Sequence, residues 1–171
     1  MKQITKIFAL AIVMIAFSAS AFAQVGATAT ASATIITPIG ITKMIDMDFG
    51  NIAVGAGGGD AVLPPAGARS ATGDVTFPAV TGTVAAAAFD VTGEGTSTYS
   101  ILITPASTTL TSGSNTMTVG LFNSTPSGTG ILAGGAQTIL VGARLIVGGA
   151  QAPGLYTTLA GDEFTVTVNY N

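Results

Sequence analysis

The chain has 171 residues and a net charge of −3, with no Cys, His or Trp. That removes the commonest general base, the thiolate nucleophile, any disulfide and most transition-metal ligands, so no catalytic residue, metal or cofactor is expected. After residue 23 only Lys43, Arg69 and Arg144 stand against eight carboxylates, a net charge of −5, which argues against nucleic acid and anionic membrane surfaces as partners.

Residues 1–23 have the layout of a cleaved signal peptide. Lys2 and Lys6 form a positive start, Ile7–Phe17 is an apolar run of 11 residues, and Ala21-Phe22-Ala23 fits an A-x-A cleavage site. The run is too short to cross a bilayer core of about 30 Å, and no Cys follows it to carry a lipid. The expected route is export from the cytoplasm, with no membrane insertion after cleavage.

Residues 24–36 form an amino-terminal arm. Val25, Ala27, Ala29, Ala31, Ala33 and Ile35 share one side and Thr28, Thr30, Ser32 and Thr34 the other, the period of a strand, ended by Pro38. Residues 37–171 then read as one β domain, with few helix formers and no sustained 3.6-residue apolar period. Residues 39–55 read as two short strands bent at the Asp48-Phe49-Gly50-Asn51 step. The glycine run 55–60 reads as a flexible loop, Pro64-Pro65 as a break, and 74–84 as a weak strand interrupted by Pro78.

Residues 84–93 and 98–105 flank Gly93-Glu94-Gly95-Thr96-Ser97 and read as a β-hairpin. A second hairpin is expected about Ser112-Gly113-Ser114-Asn115. Residues 125–135 read as loop. Ile139, Val141, Ala143, Leu145 and Val147 fall on one side of a long strand, 150–154 is a turn, and the last segment begins near Leu155. At its end Phe164, Val166, Val168 and Tyr170 alternate with Thr165, Thr167, Asn169 and Asn171, running into the last residue. Seven to nine short strands with Gly- or Pro-marked turns predict an all-β, immunoglobulin-like two-sheet β-sandwich, with a β-barrel as the alternative.

Chemistry-bearing clusters are few. Asp46 and Asp48 lie two apart, on one side of an extended chain, a spacing compatible with Ca²⁺ or with glycoside hydrolysis. There is no regular D-x-D-x-D-G loop and no Trp platform for sugar, and the plainer reading is an edge kept soluble by acid groups. Asp162 and Glu163 read likewise as a charge pair guarding the last strand. The run Gly55–Asp60 has no helix after it and is no phosphate loop.

Four segments carry a resemblance when taken in order: residues 27–52, 89–103, 109–119 and 152–171. Their wording resembles a bacterial secreted family, domain of unknown function 4402, over essentially the whole mature chain. More distantly, the Asp-Phe-Gly strand and the Tyr-then-strand ending resemble spore coat U and Mat/Ecp-type fimbrial domains. What that second resemblance implies is a sandwich lacking its last strand, completed by the amino-terminal strand of the next subunit. The donor would be the 24–36 arm through Val25, Ala27, Ala29, Ala31, Ala33 and Ile35. The acceptor would be the terminal strand through Phe164, Val166, Val168 and Tyr170.

The implied function is a non-enzymatic structural subunit of a surface filament, fimbria or coat, self-associating into a homopolymer with a periplasmic chaperone and an outer-membrane usher as partners. The sequence departs from the fimbrial pattern in lacking a disulfide, in offering mostly Ala along the arm, and in a long stretch between Tyr156 and Phe164. Two alternatives stay open. One is a self-complemented secreted monomer whose arm folds back; the other is a carbohydrate or surface adhesin using loops 55–69 or 123–136.

Overall fold

A computed structural model describes residues 25–171 together with Gln3, Ile4, Lys6 and Ile7. The remainder of the signal-peptide reading lies outside the described residues. The chain divides between Ile35 and Ile36. Residues 25–35 carry no strand and are exposed throughout, Ile35 being 98% exposed.

The rest is all-β, a two-sheet sandwich as composition and turn spacing predict. Its strands are β1 (Gly40–Ile45), β2 (Ala53–Leu63), β3 (Ser70–Thr76), β4 (Ala87–Thr92), β5 (Thr98–Thr104), β6 (Ser107–Ser112), β7 (Asn115–Thr125), β8 (Thr129–Ile131), β9 (Ala136–Val147), β10 (Thr157–Thr158) and β11 (Thr165–Tyr170). These eleven exceed the expected seven to nine. The surplus comes from very short pieces, β8 and β10, which carry too few residues to show a period.

The larger sheet has eight strands in the order β1-β4-β9-β7-β6-β10, with β2 and β3 branching from β9. The branch is possible because β9 is long. Residues 136–141 pair with β4, and Ala143–Val147 pair with β2 on the same side. The smaller sheet runs β11-β5-β8.

Register shifts curl the larger sheet. One lies between Gly120 and Asn123 in β7, where Leu121 takes φ 50° and points out; another lies between Val54 and Gly59 in β2. Each inserts extra residues against a regular partner, and the strand bends there.

Two cores result. Between the sheets, Val91, Tyr99, Ile139 and Val141 are fully buried, with Val166 and Val168 against them. In the curl of the larger sheet, Leu63, Ala61, Val75, Val119, Leu145 and Val147 pack around Phe49. The inward side of β9 supplies both, since Ile139, Val141, Ala143, Leu145 and Val147 are all buried as their alternation predicts.

Two local expectations are corrected. The run 55–60 is no loop; it lies inside β2 and leads into the buried Ala61 and Leu63. Glycines serve there because the bulge needs Gly58 at φ 71°, and because Asp74 closes on the chain, its carboxylate accepting from the Gly57 N–H at 2.8 Å. Nor do β4 and β5 form a hairpin. β4 pairs with β1 and β9, β5 with β11 and β8, so residues 93–97 cross from one sheet to the other. The crossing is fixed by Gly93 N–H to Gly135 O (2.9 Å) and Leu132 N–H to Ser97 O (3.0 Å).

Candidate functional site

The smaller sheet ends on β11. It pairs with β5 from Thr165↔Thr104 to Tyr170↔Tyr99, and among the described residues carries no ladder on its other side. Asn171 N–H donates to Thr98 O at 3.2 Å. By the alternation of an antiparallel ladder, the main-chain groups of the odd residues therefore face β5. Those of Val166, Val168 and Tyr170 face the open side.

β1 lies beside β11 without a ladder to it, and among the described residues β1 itself pairs only with β4. The two sheets thus meet at two open edges. Strand direction follows from contacts at the two ends. Tyr170 reaches Thr37, just before β1, whereas Phe164 stacks edge-on against Phe89 (6.3 Å, 73°), the partner of Lys43 near the end of β1. β1 and β11 therefore run in opposite directions.

The expected acceptor residues sit as their alternation places them. Val166 and Val168 are 6% and 8% exposed, Phe164 and Tyr170 are half-buried on the same core, and Thr165, Thr167 and Asn169 point out. Phe164 also lies against Phe122, 4.6 Å between centroids.

Tyr170 does more than fill space. Its hydroxyl donates to Thr37 O (2.8 Å) and accepts from Glu94 N–H (2.6 Å). The Glu94 carboxylate in turn accepts from Thr37 N–H at 3.0 Å. That donation, chiefly from the backbone of Thr37, holds the Glu94 carboxyl below its ordinary range. A three-residue tie thus joins the end of β11, the end of β4 and the start of β1. Gly93 is part of it, since a Cβ there would meet the Tyr170 hydroxyl and Leu132.

At the opposite end of β11 the seam opens into a cleft of about 890 Å³. Its wall is the concave side of three strands: Thr108 and Leu110 from β6, Met117 and Val119 from β7, Leu145 and Val147 from β9. Ile45, Phe89 and Phe164 form the end that joins the seam, and residues 46–54 and 151–158 close the sides. The second of these segments is held by Tyr156, whose hydroxyl donates to Ala152 O (2.7 Å) and accepts from Gln151 Nε2 (2.9 Å).

The mouth carries Lys43, Asp46, Asp48 and Glu163, all exposed. Asp46 pairs with Lys43 at 2.6 Å and Asp48 accepts from Gly50 N–H at 2.7 Å, so the two carboxylates are engaged separately. Among the described residues no three carboxylates gather into a cation site.

The loops expected for an adhesin are largely not loops. Residues 55–63 belong to β2, and 123–136 include the end of β7, all of β8 and the first residue of β9.

The family model of a domain of unknown function (DUF4402) matches residues 39–170. The chain belongs to that family. No curated protein and no solved structure matches it.

Proposed function

We propose that this DUF4402 chain is a non-enzymatic structural subunit of a bacterial surface filament, fimbria or coat, joined to its neighbours by strand complementation at β11. The observation that carries the reading is the bare edge of β11 above a finished core. Val166 and Val168 are already buried and Tyr170 is half-buried, so what the strand chiefly lacks is main-chain partners. The 25–35 arm, alternating and exposed, has the matching need. A strand added to an open edge gains ladder hydrogen bonds worth about 1 kcal/mol net each.

Export by a cleaved signal fits the same reading, and so do a chaperone that covers the edge in the periplasm and an usher that releases the subunit for assembly at the surface. The test compares the mature chain, residues 24–171, with one beginning at Thr37. Filaments or ladders of oligomers from the first, monomers from the second, and recovery of a complex on adding a 24–36 peptide are expected. Monomers of equal thermal stability in both cases would sink the reading.

A further inference from the structure

We infer that the arm of a second copy enters antiparallel to β11, and that its Ile35 is the anchor, seated in the cleft at the Phe164 end. The inference rests on the strand-complementation reading and adds direction, register and an anchoring residue to it.

Side-chain size along the arm follows depth along the groove. On its inward side the arm presents Val25, four alanines and then Ile35. Along the middle of β11 the groove is already filled, because Val166 and Val168 are backed by the fully buried Val91 and Tyr99. A methyl group fits over such a floor; a larger side chain does not. At the Tyr170 end there is no space either, since the hydroxyl is held by Thr37 and Glu94 and lies against Gly93. The Phe164 end is different. There the seam continues into the 890 Å³ cleft past Ile45 and Phe89.

Inward residues of the arm are odd-numbered and those of β11 even-numbered. The antiparallel register that sets Ala29 by Tyr170, Ala31 by Val168 and Ala33 by Val166 brings Ile35 beside Phe164. A parallel arm with Val25 beside Phe164 would carry Ile35 beyond the Tyr170 end of β11, away from the cleft.

Chain reach makes the donor another molecule. Thr37 is tied at the Tyr170 end. Two residues span about 7 Å at most, while β11 is roughly 20 Å long. The chain's own Ile35 therefore falls short of the cleft by more than half the strand, whereas a neighbour's arm has no such tether.

The described residues contain no cysteine, so introduced pairs report the register. In the proposed register Thr34 lies opposite Thr165. Thr165 turns its main-chain groups to β5, so this is a non-hydrogen-bonded pair, with Cα atoms about 4.5 Å apart, close enough for a disulfide. Mature chain carrying Thr34→Cys and Thr165→Cys should give a ladder of disulfide-linked oligomers after oxidation. Gly26→Cys with Thr165→Cys reports the parallel register and should give none.

A ladder from the second pair instead of the first, or from neither while the unmodified chain still polymerises, overturns the register and leaves strand donation standing. A monomer closed on itself by the first pair, or no assembly at all, overturns both. Ile35→Ala should weaken arm binding roughly 50-fold, the loss of three buried carbons, and Ile36→Ala by no more than about threefold. Equal effects of the two would remove the anchor.

Discussion

Replacing Tyr170 by Phe isolates the tie between the terminal strand and the rest of the fold. The ring keeps its place on the core and only the hydroxyl is lost. Two hydrogen bonds go with it, to Thr37 O and from Glu94 N–H. Thr37 is exposed, so its carbonyl is rehydrated at little cost. The Glu94 amide is half-buried and is left partly unsatisfied. The net loss should be about 1–2 kcal/mol, and for a domain of this size that lowers the unfolding midpoint by about 3–6 °C. Scanning calorimetry measures the midpoint. Amide hydrogen exchange at Glu94 and Thr37 gives the local effect, with protection falling at both while β9 stays protected. An unchanged midpoint together with unchanged exchange at Glu94 would refute the tie.

Three further outcomes follow from single contacts. Glu94 titrates below the ordinary carboxylate range because Thr37 donates to it. Its contribution is full above the unfolded pKa of about 4.3 and is lost as pH falls through the lower folded value; an NMR titration of its side chain checks this, and a midpoint at or above the ordinary value would refute it. The Arg69 guanidinium donates to the carbonyls of Phe49, Asn51 and Thr81 and stacks on Phe77 at 4.0 Å. Arg69→Lys keeps the charge but loses the planar fork, and should cost about 1–2 kcal/mol in denaturant titrations; a midpoint equal to wild type would mean that the fork carries nothing. Ile139→Ala opens a cavity in the fully buried core between the sheets and should cost about 2–5 kcal/mol in the same assay, against less than about 0.5 kcal/mol for exposed Val80→Ala.

What the sequence disclosed depended on whether the information was local. The inward side of β9 was legible because five apolar residues in strict alternation have no other use in a strand. The β6–β7 hairpin was legible because Ser112 and Asn115 close a two-residue turn, with Gly113 at φ 61°. Residues 93–97 carried equally good turn residues, yet they cross between sheets. Nothing local separates a tight turn from a crossover; the difference lies in Leu132 and Gly135, which hold the crossing from outside. The glycine run in β2 misled for a related reason. Glycine marks loops by frequency, and here it marks a bulge and a close approach by Asp74. The cleft was invisible because its walls come from segments scattered over a hundred positions. The role of Tyr170 was hidden too, since its partners are main-chain atoms 76 and 133 residues away, and a main-chain atom has no letter in a sequence.

The open edges of this fold are not equivalent, and the difference favours β11 as the one built for a partner. β10 has two residues and β8 three, too short to template a strand. β1 carries the exposed Lys43, a charge of the kind that guards an edge against pairing, and β3 is bent at its register shift, where Gly73 takes φ 64°. β11 has six residues with no charge, proline or bulge among them, and its outward face is Thr165, Thr167 and Asn169. Asp162 and Glu163 precede it rather than interrupt it. An unguarded edge of that length either aggregates or has a designated cover. The inward pattern of the arm distinguishes the two outcomes. Nonspecific aggregation is indifferent to register, whereas the register proposed above, with the arm's alanines over the filled floor and Ile35 at the cleft, is a single alignment. Placing a charge on the edge, as in Val168→Lys, would bury it in the core and unfold the domain; Thr167→Lys leaves the core untouched, since Thr167 points out. If a specific strand is the cover, arm variants and not Thr167→Lys control assembly; if the edge merely aggregates, the outward lysine suppresses association and Ile35→Ala does not.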